Sequence, residues 1–115
     1  MTITSTLGRA HQATSFSYTG SVLEGVVIEF NKSRVAVSAA FFSAIREKFA
    51  GRTIVGGFSM TNPTPNGLGI WVQNNSAQNS QSLTPRHASF IAAIMRDEGW
   101  LTSTFSGNAV ILHFS

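Results

Sequence analysis

Cysteine is absent from this 115-residue chain, which excludes disulfides, thiolate metal sites and cysteine nucleophiles together. Charge is scarce as well: Asp, Glu, Lys and Arg make up 11% of the residues, against about a quarter in an average soluble domain. Acid is scarcer than base, with five Asp and Glu against eight Lys and Arg and a formal charge of +3. So small an excess gives only weak encouragement to an anionic partner. No apolar window approaches the ~18 residues of a spanning helix, so no membrane partner is expected. Met1 to Gln12 lacks the apolar stretch of a secretory signal, and a cytoplasmic location is the resulting expectation.

What is present argues for a folded domain. Apolar residues reach 43%, nine Phe supply bulk, and Ser, Thr, Asn and Gln replace charge on the surface. Disorder needs the opposite balance. The length suits one domain, read as residues 15–115 behind a polar leader at 1–14.

The chain carries an internal echo. Phe41-Phe42-Ser43-Ala44-Ile45 and Phe90-Ile91-Ala92-Ala93-Ile94 share Phe-x-x-Ala-Ile at a separation of 49 residues. Each is preceded by a strand-like run, Gly25 to Phe30 and Gly67 to Val72, and followed by a glycine, Gly51 or Gly99. Ser38 reads as the N-cap of a first helix ending at Ala50, with Phe42, Ile45 and Phe49 as its apolar stripe. Thr84 and Pro85 open a second helix that buries Phe90, Ile91, Ile94 and Met95. Thr53 to Met60 reads as a strand. The turn cluster of Pro63, Pro65 and Asn66-Gly67 predicts a hairpin into a strand over Leu68–Gln73. Leu101–Phe105 and Ala109–Phe114 read as a terminal hairpin, and Ser15 to Thr19 as an added edge strand. The order ββαββαββ predicts an α+β fold of the ferredoxin-like, split βαβ type: one antiparallel sheet with two helices on one face. A winged helix is the rival reading, but it needs a helix where Leu68–Val72 looks like a strand.

No enzymatic constellation emerges. The single aspartate, Asp97, sits at a helix end beside Glu98. His11, His87 and His113 fall in the leader, a first helical turn and the last strand, with no spacing that gathers a triad or metal site. Gly67-Leu68-Gly69 lacks a third glycine, and Ser59 lacks the second glycine of a nucleophile elbow. A non-enzyme without cofactor or metal is the expectation.

Three features point to binding. Lys32, Arg34, Arg46, Lys48 and Arg52 form a basic group around the first helix, although a solvated charged face is the plain alternative. Trp71 is expected on the sheet face opposite the helices, with Val27, Glu29, Gln73, Ile111 and His113 beside it, or else as core filling. The uncharged stretch Gln73 to Ser82, including Asn74 and Asn75, is long for a connection and offers amides to a partner.

These features favour a small protein that acts by contact with a protein or protein complex, as an inhibitor or accessory subunit. Phage or mobile-element inhibitors of host defence complexes, anti-CRISPR proteins among them, are the class in view. An edge strand offers a route to a homodimer. The alternative is an RNA or single-stranded DNA module with Trp71 as a stacking platform on the open sheet face, as in RNA-recognition domains.

Overall fold

The computed structural model describes residues 2–5, 15–30, 32–58, 65–79, 81–106 and 109–115. It is an α+β arrangement of a four-stranded antiparallel sheet, a small three-stranded sheet and three helices. The first sheet is a meander of β1 (Thr2–Ser5), β2 (Ser15–Ser21), β3 (Gly25–Phe30) and β4 (Ser33–Val37). Residues 2–5, part of the stretch read as a polar leader, thus form a strand; 6–14 lie outside the described residues. Because β1 pairs with it, β2 is an inner strand rather than the expected edge.

Alternation decides which side of this sheet is covered. Phe16 and Tyr18 of β2 and Val26 and Ile28 of β3 are buried, while Ser15, Thr19 and Val27 face outward or sit half-exposed. Phe16 meets Phe90 of α3 (His87–Asp97) edge to face at 4.8 Å, which seats that helix on the sheet. At the other end of α3 the carboxylate of Glu98 accepts from the Val22 N–H, just past β2, at 3.0 Å.

Helix α1 (Ala39–Phe49) begins as its sequence dictates. Ser38 is extended, and its hydroxyl accepts from the Phe41 N–H at 3.1 Å. Phe41, Phe42, Ile45 and Phe49 are buried, each side chain contributing about 1.5–3 kcal/mol of transfer free energy. Gly51 then takes φ 70°, the left-handed turn that ends the helix. The second sheet has the order β5 (Thr53–Val55), β7 (Ala109–Phe114), β6 (Leu101–Ser106). Val110, Leu112 and Phe114 point into the core. On the opposite face His113 is tied to Thr53 through Nδ1 at 3.2 Å and to Thr104 through Nε2 at 2.9 Å, bridging the strands on either side of it.

The segment after Pro65 departs from the expected strand. Leu68–Asn74 is a helix, α2, followed by a 3-10 turn over Ser76–Gln78. Leu68 and Val72, spaced four apart, are both fully buried on its inner side. An apolar run this short fits either period, and packing against α3 chose the helical one. The hairpin expected over 60–67 is therefore not formed with a strand at 68, and residues 59–64 lie outside the described ones. Gly67-Leu68-Gly69 opens this helix, without the third glycine of a dinucleotide fingerprint. The strands pair as two sheets rather than as one sheet with two helices on one face.

Gly69 shows why α2 sits where it does. Its N–H donates to the Gly56 carbonyl at 2.8 Å, and a Cβ on Gly69 would lie 1.9 Å from the Gly57 carbonyl oxygen. Only glycine lets the helix approach the end of β5 so closely.

Candidate functional site

The end of α1, the turn into β5 and one face of α2 enclose an open cleft of about 540 Å³. Its apolar floor is Phe49, Ile54, Ile70 and Trp71; Lys48, Arg52, Asn66, Asn74 and Asn75 supply its polar lining. Lys48 stands one residue before the end of α1. Arg52 follows the left-handed Gly51, so the reversal of the chain sets both cations beside one opening.

Trp71 is fixed from behind. Its ring lies 5.5 Å from Phe41 and 5.7 Å from Phe49, the latter edge to face, and Phe49 in turn stacks at a tilt on Phe114 at 5.3 Å. The expectation that Trp71 occupies an open sheet face is corrected here. It belongs to a helix and packs on α1, while Val27 and Glu29 lie in one sheet and Ile111 and His113 in the other. The side-chain Nδ2 of Asn75 donates to the Trp71 carbonyl at 2.9 Å and so caps the end of α2; Gln78 donates to the Asn75 Oδ1 at 3.0 Å.

The electrostatics of the cleft are one-sided. Neither Lys48 nor Arg52 pairs with an acid among the described residues, which include all five Asp and Glu. Glu29 binds Arg34 at 3.2 Å, Asp97 binds Arg96 at 3.1 Å, Glu24 bonds to Ser21, and Glu98 holds the Val22 N–H. Among the described residues the lining contains no carboxylate, imidazole or hydroxyl. Such an arrangement can hold an anionic group next to an apolar one.

Five of the nine residues singled out from sequence, Lys48, Arg52, Trp71, Asn74 and Asn75, are brought together here. The other four are not. Gln73 is exposed elsewhere on α2, and Lys32 is exposed before β4. Arg34 is engaged by Glu29. Arg46 does not lie on a purely solvated flank: its guanidinium covers the Trp100 ring at 4.6 Å, and its Nε is buried without a hydrogen-bond partner. Sequence reasoning missed Phe49, Ile54, Ile70 and Asn66 as lining residues. The available signal was Asn66-Gly67, since Asn66 adopts φ 65° and turns the chain into α2.

The amide-rich stretch also proves to be partly structural. Asn79 and Gln81 reach β4, where Gln81 Oε1 accepts from the Ala36 N–H and Asn79 Nδ2 donates to the Ala36 carbonyl at 2.8 Å. A smaller cleft of about 300 Å³ lies beside them, between Phe30, Arg34, His87 and Phe90. Its cation is already paired.

Among the described residues no group of three or more His, Asp or Glu could hold a metal ion, and no helix is long and apolar enough to cross a membrane. Compared with family models, curated proteins and solved structures, the chain matches none.

Proposed function

We propose that the chain is a non-enzymatic binding protein that acts by contact with a protein partner, as an inhibitor or accessory subunit would, through the cleft between α1 and α2. The observation that carries this reading is the pair of unneutralised cations, Lys48 and Arg52, over a floor of Phe49 and Trp71. Two exposed cations without an acidic partner, beside the part-exposed Trp71 ring, suit an interface. The nucleic-acid reading loses support, because Trp71 is packed between α1 side chains instead of lying on an open sheet.

The ferredoxin-like plan is kept as a proposal about how the two halves are related. Gly51 and Gly99 each end a helix at positive φ, and the strands that follow, β5 and β6, both flank β7.

Co-purification from the native host tests the function. Wild type and the double variant Lys48→Glu/Arg52→Glu are compared after nuclease treatment. A protein recovered with wild type and lost with the variant supports the reading. Identical recovery, or recovery abolished by nuclease, contradicts it.

A further inference from the structure

We infer that the occupant of this cleft is an acidic peptide segment of the partner, with Asp or Glu side chains set next to a bulky apolar one. The inference rests on the reading of the cleft as the partner-binding surface and adds the chemistry of what fills it.

Charge complementarity is the first ground. Lys48 and Arg52 are exposed, and every acidic side chain of the protein is engaged elsewhere or, as with Glu47, stands outside the lining. A carboxylate arriving from a partner meets no competitor. Shape is the second ground. About 540 Å³ exceeds what a lone carboxylate fills and suits two or three side chains of a peptide. The floor of Phe49, Ile54 and Trp71 is apolar, so an apolar neighbour of the acid has somewhere to go. Asn74 adds the third ground: its exposed amide can pair with a peptide backbone, the usual complement to side-chain pockets.

A nucleic-acid strand fits less well. A phosphate backbone needs a track of cations, whereas this cleft offers two among the described residues. Trp71 packs on Phe41 and Phe49 inside a cleft rather than lying on an open face with other exposed rings, so it offers no platform for successive bases. Exposed ion pairs contribute little to affinity on their own, so the cations select the ligand while the aromatic floor holds it.

The test uses the intact protein and a displayed library of random peptides about twelve residues long, selected in parallel on wild type and on Lys48→Glu/Arg52→Glu. Both changed side chains are exposed, and thermal melting verifies that the variant folds. The expected result is enrichment of Asp or Glu beside Leu, Phe or Trp on wild type. The best peptide should bind the variant at least about tenfold more weakly, and binding to wild type should weaken as salt rises. Enrichment of neutral or basic peptides that the variant loses overturns the acidic assignment but keeps the cleft as an interface. Peptides bound equally by both proteins overturn the acidic assignment and the interface together. No enrichment, or capture of oligo(dT) that the variant abolishes, overturns the peptide as occupant.

Discussion

Ser38 and Asn79 are joined by a 2.8 Å hydrogen bond in which the Ser38 N–H donates to the side-chain Oδ1. The other end of the same amide donates to the Ala36 carbonyl, so one side chain takes the place of a neighbouring strand on β4. It also anchors the residue whose hydroxyl caps α1. Asn79→Ala should lower unfolding free energy by about 1–3 kcal/mol, because it strands a donor and an acceptor in a part-buried setting. Urea denaturation measures the loss, and partner binding at the α1–α2 cleft should persist in the folded variant. Unchanged stability together with lost binding would return Asn79 to the role of a contact residue.

His87 makes folding sensitive to acid. Its Nδ1 accepts from the Thr84 N–H at 2.9 Å, which requires the neutral ring with its proton on Nε2. Burial holds its pKa below the usual 6.5, and the adjacent Arg86 guanidinium pushes the same way. The folded state therefore binds fewer protons than the unfolded state, and stability should fall as pH drops through about 6.5 toward the lowered folded value. Denaturation at a series of pH values from 8 to about 5 checks this. His87→Gln keeps an acceptor at that position and removes the titration, so its profile should be flatter; parallel profiles would contradict the assignment.

Gly69→Ala sets two effects against each other. Alanine favours a helix by about 1 kcal/mol over glycine. Against that, the new methyl would fall 1.9 Å from the Gly57 carbonyl oxygen, and backbone cannot give way cheaply. The clash should win, for a net loss of about 1–3 kcal/mol in a denaturant titration. The cleft should suffer as well, since α2 carries Trp71 and Asn74. A stabilised variant would mean that α2 is not held this close to β5.

Trp71→Ala should destabilise by about 2–4 kcal/mol, because it removes ring contacts to both Phe41 and Phe49. Trp71→Phe should recover most of that loss in thermal melting. If Trp71→Ala melts like wild type, the ring is not packed on α1.

How much of this was legible in the chain follows from how local each signal is. Ser38, Gly51, Gly99 and the β6–β7 hairpin announce themselves through caps and turns that a few residues determine. The helix at Leu68–Asn74 does not. Its Leu68 and Val72 fit a strand alternation and a helical spacing equally, and only burial against α3 separates the two. β4 was hidden for a related reason: Lys32 and Arg34 drew attention as charge while Val35 and Val37 carried the alternation. The cleft was half legible. Lys48, Arg52 and Trp71 stood out by type, but their meeting depends on α2 being a helix, which brings Trp71 to α1 instead of to a sheet face. Arg46 misled because its stacking on Trp100 is a contact between residues 54 positions apart.

Photo-crosslinking addresses the central claim most directly. A photoreactive side chain is placed at Asn74, on the rim of the cleft, and in a control at Leu23, which is exposed on the β2–β3 turn. The account predicts a discrete protein adduct in the native host from position 74, absent from position 23 and lost when Lys48→Glu/Arg52→Glu is added. No adduct at 74, or the same adduct from both positions with the charges reversed, would contradict it.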